Sequence, residues 1–484
     1  MDTHRVPTMI GGDAALRPAP FRRGGRLTGL GAAAERLFVR LRPWLPVAHT
    51  VMFAGFLAIL FVPLLLGDPP AEAGPFDHFT VLAHTLLWGV WFPLAFLSVA
   101  LTGRSWCGLL CPMGAASEWS GKVGLKRPVP AWLRWPGTPV ASFILITVWG
   151  QTVGVRDHPE AAAILFGSVF AAALAIGFLF GRGKRAWCRH ACPIGLLLGV
   201  YSRLGAVEFA PKRPEPGGDR WTEKTVCPTL IDLRRKTESR HCIECFRCVG
   251  PSSQGGLYVK LRTPGAEIES VAAHNPSLSE VLFLFMGTGV ALGGFLWLVL
   301  PSYQHLRMAV GDWGIDQGWY WLGEPGPRWL MSVYPERREV FRWLDFILIV
   351  GYMLSWLAAL TATLSATTAA SAWLSARLAP GAAAWRARFV QLGYQYAPVA
   401  MVSLLLGLGG GLFDTLALLG LGPAAVLGLK GLVFALGALW SLRLGDRLLA
   451  AQGVPATWRW LPLIPGALGS FAVGAAWYPA LFGA

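Results

Sequence analysis

Residues 103–114 read GRSWCGLLCPMG and residues 184–195 read KRAWCRHACPIG, so the chain carries one Trp-Cys-x3-Cys-Pro-x-Gly motif twice. Each copy follows a pair of apolar runs and begins at the end of the second run. Self-similarity along a chain indicates that a supersecondary unit is repeated. Two helical hairpins that end in the same motif therefore predict a pseudo-symmetric four-helix core.

Apolar runs long enough to cross a bilayer occur along most of the chain. Hydrophobic residues make up 54% of the 484 positions and charged residues only 14%, whereas a soluble chain carries about 25% charge. Because roughly 20 apolar residues span a bilayer as a helix, we predict an all-α integral membrane protein with about nine transmembrane helices and reject a soluble multidomain protein. The predicted spans are about residues 49–67, 79–101, 139–155, 161–181, 279–300, 342–366, 392–411, 415–441 and 461–481.

The basic residues are distributed as in a multi-pass membrane protein. The formal charge is +15, and most of the 42 Lys and Arg lie between alternate apolar runs. This alternation is typical of the positive-inside rule, and contact with anionic lipid head groups accounts for the charge without nucleic acid. We therefore expect the N-terminus and both repeat motifs on the cytoplasmic side.

These patterns divide the chain into segments with different expected roles. The C-terminal part contains a very short predicted turn around Phe413 and Asp414. The segments are a basic cytoplasmic tail at 1–48, expected to be mostly disordered; the four-helix core with both repeat motifs at 49–205; a cytoplasmic ferredoxin-like segment at 206–278; the fifth transmembrane helix at 279–300; a periplasmic aromatic loop at 301–341; and a C-terminal membrane domain of about four helices at 342–484.

All eight cysteines fall in the basic segments, where a reducing cytoplasm disfavours disulfides and favours metal ligands. Three form the run Cys242-x2-Cys245-x2-Cys248, and Cys227-Pro228 lies upstream. Bacterial ferredoxins hold a [4Fe–4S] cluster with such a run and one distant Cys-Pro. A structural zinc site is the main alternative, although zinc sites more often use two separated Cys-x2-Cys pairs. We predict that these four thiols bind a [4Fe–4S] cluster.

The repeat motifs supply a second set of four thiols. Within each motif the two cysteines are four positions apart, which places them on one face of a helical turn. A pseudo-twofold arrangement would bring Cys107, Cys111, Cys188 and Cys192 together as a second Fe–S site at the membrane edge. The alternatives that stay open are a reactive dithiol pair, a transient metal site and packing thiols.

With these motifs, the chain resembles the NapH/NosR/CcoG (FixG, RdxA) group of membrane-bound 4Fe–4S polyferredoxins over about residues 45–300. The resemblance implies a bacterial inner membrane location, membrane-edge cysteines in the repeat motifs and ferredoxin ligands in the Cys227–Cys248 set. Typical members have two complete Cys-x2-Cys-x2-Cys-x3-Cys-Pro units. Here Ser252 stands at the fourth cysteine position of the only such unit, which leaves ligands for one ferredoxin-type cluster.

The resemblance also implies a function, which we state as an expectation. It is a membrane-bound iron–sulfur protein that passes electrons between a cytoplasmic or quinone-pool donor and a membrane or periplasmic redox partner. We expect a redox subunit of an electron-transport system in preference to a stand-alone enzyme. Its expected partners are the lipid bilayer and redox proteins, with a quinone as a further candidate and no nucleic acid.

Two other metal chemistries have weaker support in the sequence. A copper-handling and copper-reducing assembly factor for a respiratory oxidase is the alternative function, because soft thiolates also suit Cu(I). Haem is not expected, because His49, His84 and His158 lie in or near predicted helices but do not form an obvious paired set across the core. The sequence assigns no catalytic residue.

Overall fold

The computed structural model describes residues 26–212, 226–249, 256–381 and 383–482. Within these ranges the chain is mostly helical, with four short strands. The predicted tail, the ferredoxin-like segment and the C-terminal domain fall partly outside the described residues, and Ser252 falls wholly outside them. The predicted all-α class is confirmed.

The first half of the chain forms the two hairpins and the short helices that follow them. A π-helical stretch at Thr85–Trp91 joins α3 to α4, so that both belong to one apolar span, Phe79–Thr102. The elements are α1 (Arg26–Leu41), α2 (Leu45–Phe61), α3 (Phe79–His84), α4 (Phe92–Thr102), α5 (Ser105–Leu109), α6 (Pro112–Val123), α7 (Ala131–Arg134), α8 (Thr138–Val153), α9 (Pro159–Phe180), α10 (Ala186–His190), α11 (Gly195–Ser202) and β1 (Val207–Pro211).

The second half continues with one central helix and a C-terminal helical domain. In the described part of the chain, eight helices are long and apolar enough to cross a membrane, and α8 is apolar but shorter. The elements are β2 (Leu257–Leu261), α12 (Ala266–Glu269), α13 (Leu278–Val299), α14 (Pro301–Asp316), β3 (Val333–Tyr334), β4 (Glu339–Val340), α15 (Trp343–Leu378), α16 (Trp385–Gly393), α17 (Ala397–Leu408), α18 (Gly410–Leu418), α19 (Pro423–Ala451) and α20 (Trp460–Phe482).

The repeated motif adopts the same local structure in both copies. Cys107 lies in α5 and Cys188 in α10, and each of these helices is a single short turn. The backbone N–H of Cys111 donates to the carbonyl of Trp106 at 3.0 Å, and the N–H of Cys192 donates to that of Trp187 at 2.9 Å. The proline after each second cysteine lacks an N–H and cannot continue the turn. The shared motif residues therefore produce the same turn twice.

Helices α2, α6, α8 and α9 pack around a shared apolar interior with α4. Its side chains include Phe56 on α2, Trp88 in the π-helical stretch and Phe166 on α9, all buried. Helices α4 and α9 both end next to a cysteine motif. We call this side of the helices the cysteine side and the opposite side the far side.

A small module on the cysteine side contains the ferredoxin-type cysteines. Strands β1 and β2 pair antiparallel, with Val207 opposite Leu261. Helix α1 packs against β2, and Phe38 stacks on Phe246 with ring centroids 3.9 Å apart. The prediction of a mostly disordered tail is therefore wrong for residues 26–48, because the apolar face of α1 finds a surface to cover.

Helix α13 is the centre of the molecule and joins the two halves. It packs against α8, α15 and α17, and 72% of its apolar window is buried, the second-highest share among the spans. The predicted turn around Phe413 and Asp414 is wrong, since both residues lie inside α18. The chain instead turns at Gly420, which has φ +94°, and Pro423 begins α19.

On the far side, the predicted aromatic loop contains α14 and the hairpin of β3 and β4. The ring of Tyr334 stacks on His158 at 3.9 Å, and Nε2 of that histidine bonds Glu339 at 2.9 Å. Arg337 pairs with both Asp68 and Glu160. These contacts fasten the segment to the first and second hairpins.

Candidate metal centres

The four ferredoxin-type cysteines surround one small pocket. Cys227, Cys242, Cys245 and Cys248 are between 5% and 8% exposed and line a single pocket. Phe209 of β1 contributes to the same wall and contacts the ring of Phe246 from the cysteine loop. The thiols are thus gathered in an apolar space from which water is largely excluded.

The backbone of this loop is held in an uncommon conformation. Glu244 and Phe246 have φ values of +52° and +58°, in the left-handed region that bulky residues rarely adopt. The backbone N–H of Glu244 donates to the Cys242 sulfur, and that of Arg247 donates to the Cys245 sulfur. Left-handed residues of this kind cost about 1–3 kcal/mol each and cluster at functional sites. The loop is therefore arranged to turn its thiols and N–H groups inward, as an iron–sulfur cluster requires.

The protonation of these thiols bears on metal binding. Burial raises the pKa of the Cys242 thiol to about 12, although the charge of Lys236 acts in the opposite direction. A thiol must lose its proton to bind a metal, so binding has to offset this shift. Among the described residues, no group of three or more His, Cys, Asp or Glu side chains is arranged to hold one metal ion.

The repeat cysteines also meet in space. Cys107, Cys111, Cys188 and Cys192 line one cavity of about 160 Å³ at the cysteine side. Burial and the charge of Cys107 raise the pKa of Cys111 to about 11, and burial raises that of Cys188 to about 12. The two hairpins therefore contribute two thiols each to a common space.

The two cysteine sets are in direct backbone contact. Gly108 follows Cys107, and a β-carbon at this position would lie 2.9 Å from the backbone N and Cα of Cys245. The side chains of Cys107, Ile243 and Cys245 belong to the same buried cluster. Only glycine permits this approach, so the first repeat motif and the ferredoxin-type loop touch at their backbones.

Two buried arginines lie beside the repeat cysteines. Arg104 and Arg185 occupy equivalent positions, three residues before the first cysteine of each motif, and are 2% and 0% exposed. The field of Arg104 reaches Cys107, Cys188 and Cys192. Its Nε atom, like Nε1 of the buried Trp187 indole, has no hydrogen-bond partner among the described residues. Such unpaired donors next to thiols fit an anionic group bound by those thiols.

Glu118 on α6 connects both sets. Its carboxylate accepts two hydrogen bonds from Arg247, at 2.6 and 3.0 Å, and one from Nε of Arg185, at 2.9 Å. Burial acts to raise the pKa of Glu118, but the two guanidinium groups hold it below its usual range. Arg104, Arg185 and Glu118 are functional candidates that the sequence patterns did not predict. The two arginines could have been found because they occupy the same position in both copies of the motif, whereas no sequence pattern marks Glu118.

The histidines considered for haem have protein partners. His49 bonds the carbonyl of Gly108 at 3.1 Å, and His84 bonds that of Arg156 at 2.9 Å. His158 contacts Arg337 and Glu339 through its two ring nitrogens. These contacts occupy the ring nitrogens that would ligate iron.

A protein-family model described as a 4Fe–4S binding domain matches residues 85–130 and 163–210, one match for each repeat motif. Curated relatives include NirI of Paracoccus denitrificans, 25% identical over 35% of this chain, and YccM of Escherichia coli, 25% identical over 42%. The regulatory protein NosR of Pseudomonas aeruginosa is 26% identical over 44% of this chain.

The aligned regions cover 28% of NirI, 65% of YccM and 33% of NosR, which is less than two thirds of each relative. No solved structure matches the chain. The two matches to the 4Fe–4S binding domain nevertheless coincide with the internal repeat inferred from the sequence. The resemblance is therefore confirmed: this chain is similar to the membrane-bound, ferredoxin-type 4Fe–4S proteins of the NosR/NirI type.

Proposed function

We propose that this chain is a membrane-bound iron–sulfur electron-transfer protein with two adjacent metal centres. The observation that carries the proposal is the contact between Gly108 and Cys245, which joins the four buried ferredoxin-type thiols to the cavity that the four repeat thiols line. A bound iron–sulfur cluster supplies reversible transfer of one electron. The protein supplies ligands, excludes water and holds the two ligand sets side by side.

The first proposed centre is a [4Fe–4S] cluster bound by Cys227, Cys242, Cys245 and Cys248. Support comes from the burial of these thiols, the left-handed loop residues and the N–H groups directed at sulfur. Phe38 of α1 covers the loop by stacking on Phe246. Shielding by these rings would protect the centre from water and oxidants.

The second proposed centre is an Fe–S site bound by Cys107, Cys111, Cys188 and Cys192. Support comes from the cavity that these thiols share and from the coincidence of the 4Fe–4S binding domain with the two repeats. The charge distribution argues for placing both centres on the cytoplasmic side of a bacterial inner membrane, because the segments around them are basic.

The same cavity would provide a site for a partner from the lipid phase. Besides the thiols, it is lined by the aromatic side chains of Trp88, Phe92 and Phe166 and by the polar Gln151 and Arg156. Concave, apolar sites with a few polar groups are typical of small-molecule binding. A quinone has the ring size and polarity for such a site. In this proposal, redox proteins on either side of the membrane donate electrons to the two centres or accept electrons from them.

Anaerobic purification with iron and acid-labile sulfide analysis, followed by EPR of the reduced protein, tests the proposal. We expect about eight irons for two cubanes and about four for one. The C242A/C245A double variant should lose the first EPR signal, and the C107A/C188A variant should lose the second. Protein that contains zinc and no labile sulfide would refute the proposal. The matched control is Ser105→Ala, which lies two residues before Cys107 and changes no cysteine. It should keep both signals.

A further inference from the structure

The two buried arginines beside the repeat cysteines differ in their ion pairs: Arg185 has a carboxylate partner and Arg104 has none among the described residues. Glu118 is the carboxylate that pairs with Arg185, and it is shared with Arg247. Among the described residues, no carboxylate lies within salt-bridge distance of Arg104, whose Nη1 donates to the carbonyl of Arg240 at 2.6 Å. Glu118 thus pairs with Arg185 and Arg247 but not with Arg104, and the buried Glu244 interacts with Arg104 without forming an ion pair with it.

A buried cation without a counter-charge is costly, because a charge that is removed from water loses its hydration and gains nothing in return unless an opposite charge or hydrogen bonds replace it. Neutral thiols or a Cys–Cys disulfide would leave Arg104 in that situation. Four thiolates around an iron–sulfur core carry a net negative charge, which would pair with both Arg104 and Arg185. The internal repeat places one such arginine beside each pair of thiols.

We propose that the repeat cysteines form the thiolate shell of an anionic metal centre, and that Arg104 and Arg185 are its positioned counter-charges. This inference rests on the proposed function and deepens it. It distinguishes a metal centre from the two alternatives, a reactive dithiol pair and packing thiols, because the thiols would be uncharged in both alternatives. Because reduction adds negative charge to a cluster, the two guanidinium groups favour its reduced state and raise its midpoint potential.

The first test measures that potential by EPR-monitored redox titration. The Arg104→Gln variant should shift the signal that is lost in C107A/C188A to lower potential, while the signal lost in C242A/C245A should move less. The Arg104→Lys variant keeps a positive charge, so its midpoint potential should lie close to that of the unmodified protein. Arg134→Gln changes an exposed arginine on the cysteine side and is the matched control. Equal potentials in the Gln variant and in the unmodified protein overturn the inference.

The second test compares thermal unfolding with and without the thiols. In the unmodified background, Arg104→Gln should lower the unfolding temperature because an anionic centre loses its counter-charge. In the C107A/C111A/C188A/C192A background, the same substitution should raise it, since an unpaired buried cation is removed. Equal lowering in both backgrounds would show that Arg104 acts only through packing and would overturn the inference.

These outcomes are distinct from failure of the proposed function. If the unmodified protein contains no second EPR signal and its iron content is unchanged in C107A/C188A, the second centre itself is refuted. If the signal is present but insensitive to Arg104→Gln, only the role of the arginines is refuted. If Arg104→Gln fails to fold in the unmodified background, the substitution in the four-alanine background and the Arg104→Lys variant still distinguish failure of the second centre from failure of the proposed role of the arginines.

Discussion

The backbone of Gly108 lies directly against that of Cys245, so that a β-carbon at position 108 would be 2.9 Å from the Cα of the cysteine. One residue belongs to the first repeat motif and the other to the ferredoxin-type loop, 137 positions later in the numbering. This contact fixes the separation of the two cysteine sets. Glu118 adds a second link, because its carboxylate accepts hydrogen bonds from Arg185 near one set and from Arg247 in the loop of the other.

The Gly108→Ala variant tests this contact. The added methyl group must push the two loops apart, and overpacking of this kind costs about 1–3 kcal/mol. We expect a lower unfolding temperature and slower electron exchange between the two EPR-detected centres, with the iron content largely kept. Gly55→Ala is the control, because a β-carbon there meets nothing within 4 Å. An unchanged exchange rate would contradict the proposed importance of the contact.

The Glu118→Gln variant tests the link between the two sets. Glu118 accepts hydrogen bonds from Arg185 and Arg247, and removing one partner of a buried ion pair costs about 3–5 kcal/mol. We expect a marked fall in unfolding temperature and a loss of labile sulfide from both centres during purification. Glu72→Gln, which changes an exposed carboxylate, should behave like the unmodified protein. Loss from only one centre would show that the link is not shared.

The Glu267→Gln variant tests a buried ion network beside the ferredoxin-type module. Burial acts to raise the pKa of Glu267, but Arg203 and Arg262 hold it at about 2. Because this pKa is depressed, the charged carboxylate contributes stability above its unfolded value of about 4.3, on the order of 3 kcal/mol, and loses it as the pH falls toward 2.

The unfolding temperatures of the two proteins should therefore differ most at pH 7 and converge between pH 4 and about pH 2. Arg203 donates to the Glu267 carboxylate at 2.9 Å and Arg262 donates at 2.7 Å. Both guanidinium groups stay charged throughout this range. A difference that is independent of pH would mean that the glutamine disturbs packing and not charge.

The Gly411→Val variant tests how the C-terminal domain is joined to the repeat core. Gly411 of α18 lies against the π-helical stretch, where a β-carbon would be 2.9 Å from the Trp88 carbonyl carbon and 3.0 Å from the Gly89 nitrogen. Small residues allow helices to approach closely in membranes. We expect a loss of about 1–3 kcal/mol without loss of iron.

Gly428→Val on α19 is the matched control, because a β-carbon at Gly428 meets nothing within 4 Å. It should leave the unfolding temperature of the detergent-solubilised protein unchanged. Iron loss in Gly411→Val would connect the C-terminal helices to the metal centres more closely than the contacts indicate.

Several features were predictable because they depend on neighbouring residues. The lengths of the apolar runs predicted the membrane helices, and the duplicated motif predicted the duplicated turn that holds Cys107 and Cys188. The helix that covers the ferredoxin-type loop was not predicted. Basic residues and glycines in the tail resemble a disordered segment, and the surface on which α1 packs, formed by β2 and Phe246, is distant in sequence.

The order of amino acids alone determined that the chain is a membrane protein with two sets of cysteines, because hydrophobic length and ligand spacing are local properties. Tertiary structure decided that Gly108 touches Cys245, that Glu118 joins Arg185 to Arg247, and that Arg104 is buried among thiols. Such relationships arise from side chains distant in sequence that share a space without water, where charge must be balanced locally.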